Sequence, residues 1–483
     1  MIYPEFIKLF LKNVKNHPNN VFLDSENNKT TYLEFYNLCI KFKNYIYQYS
    51  GKKTPVVCIL ESKKKFDYVS MIGTILAGGH YVPINKDMPL NKIRQVIKIC
   101  RANFFSAEKK INLRSNVKFV NEKKILKKKL TNKSRKYLIS KNAYILFTSG
   151  TTGKPKGVII SKKNLDTYIK WIVKKINLKV DEHCSQFISI SFDVSVCDFY
   201  TSMCSGGKLF LPNKFDTVFP GNMISKNKIS YLVSTPSLID YIDSSKGLNK
   251  INFKYIKKIL FCGEPLYENQ VKKIFKKNSK KKIFNCYGPT ETTVSVTCCE
   301  ITKKNFKELS DGIMSIGRAI PNSQIDLANN KNFKKKEGEI LISGKQVSPG
   351  YLNSYLETKK KFVTIKKIKY FRTGDYAKKY KGNFYFKNRI DDQIKFKGYR
   401  IELSEINYFL REYGFNNTYT KLFKNEIISF IQHRYIDSEK IKKFLQKKIE
   451  QYKIPSKFIF LSKFPLNKSG KIHIKKLEGL IHD

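Results

Sequence analysis

Arginine is scarce in this chain: it supplies 10 of the 93 basic residues, and lysine supplies the other 83. Acidic residues are also few, 39 in 483, which leaves a formal charge of +54. A surplus of that size first suggests nucleic acid or an anionic membrane. Base reading and bidentate phosphate contacts lean on arginine, however, and here the excess is lysine spread along the whole sequence. The charge therefore reads as solvated faces, with two further uses: drawing in a polyphosphate and docking an acidic protein. No apolar run is long enough to span a bilayer; residues 69–79 are too few and read as a core helix. The start, Met1-Ile-Tyr-Pro-Glu-Phe6, lacks the basic opening and apolar stretch of a secretory signal. The 10 cysteines include no Cys-x-x-Cys and the 6 histidines no His-Glu-x-x-His. A zinc site or disulfide framework is not expected, and a reducing cytoplasm is.

What is present is a core. With 41% hydrophobic residues, 483 positions accommodate one large domain and a small one. Phe6, Leu9, Phe10 and Val14 recur at helical spacing. A second helix begins at Thr31, where Glu34 completes a capping box, and its apolar face is Phe35, Leu38, Cys39, Phe42 and Ile46. Residues 56–60 and 81–84 read as buried strands, and a third begins at 103. Between the second and third, Leu90, Ile93, Val96, Ile97 and Cys100 stripe a helix. Strand–helix alternation of this kind predicts a mostly parallel, doubly wound sheet in an α/β fold. Residues 123–136, rich in lysine, read as an exposed connector. Further on, 338–344 reads as a strand, and 401–411 and 439–452 as helices.

The chemistry is concentrated in the stretch Tyr144-Ile-Leu-Phe-Thr-Ser-Gly-Thr-Thr-Gly-Lys-Pro-Lys-Gly-Val158. A short apolar strand runs into Thr148, Ser149, Gly150, Thr151, Thr152, Gly153 and Lys154, almost all hydroxyl or glycine. Such a loop offers backbone N–H groups and hydroxyls to a polyphosphate, and Lys154 and Lys156 add positive charge. It is not a Walker A loop, because Pro155 stands where Ser or Thr must hold magnesium. Asp193 lies in the otherwise apolar Ser191-Phe-Asp-Val-Ser-Val-Cys197, where a carboxylate needs a partner or a cationic ligand. Cys262 ends an apolar strand and reads from the residue alone as core. In Phe284-Asn-Cys-Tyr-Gly-Pro-Thr-Glu-Thr-Thr-Val294, Tyr287 followed by Gly288-Pro289 suits stacking on a base. Thr290 is placed to bond an α-phosphate and Glu291 to hold magnesium. Asp375, in Tyr370-Phe-Arg-Thr-Gly-Asp-Tyr376, is able to accept from two ribose hydroxyls.

Together and in this order, these motifs resemble those of the adenylate-forming enzymes, essentially over the whole chain. The similarity is greatest to the D-alanine–carrier protein ligases, and it rests on Phe192-Asp-Val-Ser-Val-Cys-Asp-Phe-Tyr200, Ser234-Thr-Pro-Ser237, Phe261-Cys-Gly-Glu264 and Gln393-Ile-Lys-x-x-Gly-Tyr-Arg-Ile-Glu402. The resemblance implies a large domain over residues 1–390 and a small, mobile α+β domain over 391–483. Asp391 corresponds to the hinge, and Lys471, in Pro465-Leu-Asn-Lys-Ser-Gly-Lys471, to the catalytic lysine. The implied ATP site comprises residues 148–154, Asn285, Cys286, Tyr287, Gly288, Pro289, Thr290, Asp375, Arg389 and Lys471. Asp193 corresponds to the partner of a substrate ammonium group, Cys262 to a residue narrowing the amino-acid pocket, and Val294 to a backbone contact. Asn388 stands where the family has Gly, and His80 where adenylation domains have Ala; His80 reads as structural. The implied reaction uses ATP and Mg2+ to activate a small amino acid, D-alanine. The product passes to the phosphopantetheine thiol of a carrier protein, a separate one since no Gly-Gly-x-Ser site is present. An adenylation enzyme for another amino acid in a peptide-synthetase-like pathway, an acyl-CoA ligase and a basic nucleic-acid-binding protein are the alternatives.

Overall fold

The computed structural model describes residues 3–25, 28–129, 139–148, 154–180, 182–245, 247–329, 332–333, 336–396, 398–465 and 472–481. It divides into two compact units. The first comprises Met1–Lys86, Ile97–Phe147 and Gly157–Ile390; the second comprises Asp87–Val96, Thr148–Lys156 and Asp391–Asp483.

The first unit is built on three sheets. A six-stranded sheet runs Lys118–Val120, Phe104–Ser106, Val56–Leu60, His80–Ile84, Asn142–Thr148, Lys156–Ser161. Its neighbours from Lys118–Val120 through Asn142–Thr148 are parallel. A nine-stranded sheet has Lys258–Cys262 near its middle, between Tyr231–Ser234 and Lys282–Tyr287 in parallel. Antiparallel strands close both of its ends. Ile259, Leu260 and Phe261 are all fully buried, the continuous apolar run of a strand covered on both faces. The third sheet, also six-stranded, pairs its strands antiparallel around Glu337–Gly344 and Ile368–Tyr380. The doubly wound expectation describes the first two sheets; in the third, sequence patterning picked out only the strand at 338–344.

Helices follow their sequence signals closely in the N-terminal region. Glu5–Asn16 carries the Phe6/Phe10 face, and Tyr32–Ser50 starts at Thr31 with both halves of the capping box formed. Glu34 N donates to Thr31 Oγ1 at 3.2 Å, and Thr31 N donates to Glu34 Oε2 at 2.7 Å. Behind this cap, Phe22 meets Tyr32 and Phe35 with ring centroids 4.8 and 4.9 Å apart. His80 is buried too, its Nδ1 3.0 Å from Ser140 Oγ. Burial, aided by Lys162, pushes its pKa down to about 4, so the ring is a neutral structural group.

The second unit contains the ribbon Gln393–Phe396/Tyr399–Glu402 and a three-stranded sheet of Thr418–Phe423, Glu426–Gln432 and Lys457–Leu461. Ile401, Ile406, Leu410, Ile431, Ile441 and Leu445 form its core. Three expectations need correction. Ile401 is not helical: it pairs with Ile394 in the ribbon, and the helix runs Leu403–Tyr413. The helix expected over 439–452 spans Ser438–Gln446 and gives way to a 3-10 turn, Gln451–Lys453. There Lys453 Nζ turns inward to Glu405 at 2.9 Å and Glu450 at 2.6 Å, all three side chains buried. The connector at 123–136 is partly ordered into the helix Glu122–Leu126, because Ile125 is apolar enough to be buried; residues 130–138 lie outside those described. No helix among the described residues is long and apolar enough to cross a membrane.

Candidate active site

In open α/β sheets, ligands bind beyond the carboxyl ends of parallel strands. Lys258–Cys262 and Lys282–Tyr287 are neighbours of this kind, in register with Phe261 opposite Asn285 and Cys262 opposite Cys286. Cys298, on the next strand, stands opposite Cys286. Three thiols thus lie in one row, and contact with Cys298 together with burial pushes the Cys286 thiol up. Asn285 Nδ2 donates to Ser315 O at 2.9 Å, which fixes the strand's exit. Beyond the strands the chain turns at Gly263, with φ of +98°, and at Gly288-Pro289. Glu264 Oε2 accepts from Ser237 N at 3.1 Å, tying two of the quoted motifs together.

Asp193 opens a 3-10 turn, Asp193–Ser195, that leads into the helix Val196–Ser205. The Cys197 thiol on that helix is pushed up by burial, then by the nearby Cys262, and less strongly by Asp193. Burial, Tyr81 and Asp193 likewise raise the Tyr144 phenol. The first unit therefore brings Asp193, Cys197 and Cys262 into one neighbourhood. The loop before Asp193 is held by a residue the sequence did not mark. Glu61 Oε2 accepts from Ser189 Oγ at 2.5 Å, and its Oε1 accepts from Ile190 N at 3.1 Å.

A second group forms around Asp375, which is buried. Tyr287 Oη donates to Asp375 Oδ2 at 2.6 Å, and Arg389 Nη1 donates to Oδ1 at 2.5 Å. Arg389 Nη2 also reaches Thr373 O at 3.2 Å. A buried carboxylate requires such partners, and each of its oxygens has a second lone pair for a hydroxyl. Sequence reading gave these three residues separate roles. The structure joins them into one chain of phenol, carboxylate and guanidinium.

Thr290 and Glu291 lie in the 3-10 turn Thr290–Thr292. Glu291 Oε1 accepts from Tyr351 Oη at 2.8 Å, while its carbonyl accepts from Ser348 N at 2.9 Å. Among the described residues no group of three or more His, Cys, Asp or Glu is arranged for a metal. A single carboxylate nevertheless fits magnesium, which binds by one or two carboxylates and otherwise by phosphate oxygens and water. Immediately after, Thr293 and Val294 both have left-handed backbone, with φ of +60° and +69°. For β-branched residues this costs about 1–3 kcal/mol each and persists only where the surroundings enforce it. The turn closes over Gly288, whose Cβ, if present, would lie 2.6 Å from Ser295 Cα and 2.7 Å from Val294 O.

Thr148 ends the strand Asn142–Thr148, and its Oγ1 lies 3.5 Å from the Lys156 carbonyl. Lys154 is exposed; Ser149, Gly150, Thr151, Thr152, Gly153 and Lys471 lie outside the described residues. Asp391 is the first residue of the C-terminal segment of the second unit, and its Oδ1 accepts from Gln393 N at 3.4 Å. Tyr351 and Gln346 were missed in sequence, because nothing local announces that their side chains reach Glu291 and the Thr292–Ser295 turn.

Comparison with known proteins identifies the family and the fold. The AMP-binding enzyme family matches residues 10–352. A D-alanine–D-alanyl carrier protein ligase of Listeria monocytogenes is 31% identical over 90% of this chain and 90% of its own. One of Lacticaseibacillus casei is 30% identical over 95% and 96%. Among solved structures, the Vibrio cholerae adenylation domain AlmE, in complex with glycyl-adenosine-5'-phosphate, superposes with a TM-score of 0.86. It is 21% identical and covers 100% of this chain and 98% of its own, so it shares the fold. The chain belongs to the AMP-binding enzyme family, the adenylate-forming ligases.

Proposed function

We propose that the protein activates D-alanine as its adenylate and then transfers the aminoacyl group to the phosphopantetheine thiol of a separate carrier protein. The observation that carries this reading is the neighbourhood of Asp193, Cys197 and Cys262: one carboxylate beside a wall of small thiols suits an ammonium group and a short side chain. The names of the curated relatives support D-alanine and a carrier as substrates.

In the first step a carboxylate oxygen of the amino acid attacks the α-phosphorus of ATP, and the bond to pyrophosphate breaks. Asp193 pairs with the α-ammonium group, Cys262 limits the side chain and Val294 supplies a backbone contact. Tyr287, with Gly288 and Pro289, gives the adenine a flat face, and Asp375 accepts from the ribose, held in place by Arg389. Asn285 and Cys286 form the strand end beneath. The loop at 148–154, Thr290 and Lys471 offset the repulsion between two approaching anions and the charge that develops. Glu291 would hold Mg2+, which when bound neutralises phosphate charge. In the second step the carrier thiol attacks the acyl carbon, AMP leaves, and the thiol proton passes to solvent. We assign Asp391 as the hinge that exchanges the two steps, between a large domain of residues 1–390 and a small one of 391–483.

The test is amino-acid-dependent ATP–pyrophosphate exchange across D-alanine, L-alanine, glycine, serine and larger residues, with Asp193→Ala as control. Exchange confined to D-alanine and lost in the variant is expected. Exchange with another amino acid would move the enzyme to a different pathway with the same chemistry, and exchange with none would return Asp193 to a structural role.

A further inference from the structure

The backbone at Thr293 and Val294 is held in a conformation that β-branched side chains disfavour, and one buried side chain reaches three carbonyls of this turn. Gln346, almost wholly buried, lies in the loop that follows the strand Glu337–Gly344. Its Nε2 faces three carbonyls of the turn: Ser295 O at 2.8 Å, Thr293 O at 3.2 Å and Thr292 O at 3.4 Å. Its backbone carbonyl accepts from Thr293 Oγ1 at 2.7 Å. A carboxamide is the side chain that suits this place. It donates two hydrogens without charge, whereas a carboxylate would turn acceptors toward acceptors. The neighbouring Glu291 is fixed independently, through Ser348 N and Tyr351 Oη. Loss of Gln346 therefore bears first on Thr293, Val294 and Ser295, and only second on the nucleotide side.

We propose that Gln346 is a positioning residue for the amino-acid site: it clamps the Thr292, Thr293 and Ser295 carbonyls and so fixes Val294, between them, in its left-handed conformation. This rests on the reading of Val294 as a backbone contact of that site. The clamp explains why two adjacent β-branched residues keep positive φ. Relaxed toward ordinary φ, the segment would swing Val294 and Ser295 away from Gly288, against which they close.

Two variants and two readouts test this. Gln346→Leu keeps the bulk and removes the donors. In pyrophosphate exchange it is expected to raise the KM for the amino acid by about tenfold or more, with the KM for ATP changed by less than about twofold. Adding Val294→Gly, which tolerates positive φ at little cost, is expected to make the clamp matter less, so the double variant loses less than the product of the two single losses. Equal effects on both KM values, or strictly multiplicative losses, would overturn the proposal. Amide hydrogen exchange of residues 288–296 decides it independently of substrate: faster exchange in Gln346→Leu is expected, and unchanged protection sinks the clamp. A wild-type protein with no amino-acid-dependent exchange would remove the functional reading, while the hydrogen-exchange result would still rule on Gln346.

Discussion

A single residue such as His80 shows how far the environment decides a role. Its ring is held neutral by burial, against the ordinary tendency to charge near pH 6.5. The folded pKa lies below the unfolded one, so its contribution to stability is whole above pH 6.5 and is lost as the pH falls toward 4. Denaturant titrations across that window are expected to lose on the order of 3 kcal/mol from this group alone, and His80→Asn should flatten the slope. A slope unchanged in the variant would assign the acid sensitivity elsewhere. A residue stands out in sequence where its type is rare for its setting, as Asp193 does in an apolar stretch. Roles were unreadable for Glu61, Tyr351 and Gln346, whose partners are at least 50 positions away and are met only through the fold.

Elements were legible where the signal is local. The capping box at Thr31 needs only residues 31 to 34, and the helix begins there. Thr31→Ala is expected to cost about 1 kcal/mol in urea unfolding, with no change in pyrophosphate exchange. Ile401, in the strand Tyr399–Glu402, was read as the start of the following helix because its apolar spacing suits both periods and only pairing with Gln393–Phe396 decides between them. The end of the helix Ser438–Gln446 was likewise set by a distant partner, as Lys453, paired with Glu450, meets Glu405. Burial raises the Glu450 carboxyl, but Lys453 and Lys92 together outweigh it and hold the pKa down at about 2, below the ordinary 4.5. The stabilisation from this group is therefore complete above pH 4.5 and is lost as the pH falls from there toward about 2. Acid unfolding of a Glu450→Gln variant should show a shallower loss in that range.

At the scale of the whole molecule, two units and 83 lysines leave one lysine to be singled out. Lys471→Ala is expected to abolish adenylate formation while preserving thiol transfer from chemically prepared aminoacyl adenylate, measured as two single-turnover reactions. A variant competent in both would remove Lys471 from the mechanism. The order of motifs along the chain made the family legible from sequence. The antiparallel third sheet was not, because its long strand Ile368–Tyr380 does not alternate cleanly between buried and exposed positions.

The row of cysteines across the central sheet has a consequence for chemoselectivity. An enzyme that makes a reactive acyl donor beside its own thiols risks acylating itself, since a thiolate competes directly with the incoming carrier. Contact with Cys298 together with burial raises Cys286 in that row well above the usual thiol range, and burial does the same for Cys197 on the helix Val196–Ser205, so at neutral pH both remain protonated and poorly nucleophilic. On the proposed reading of the site, these two thiols are therefore poor competitors for the aminoacyl adenylate.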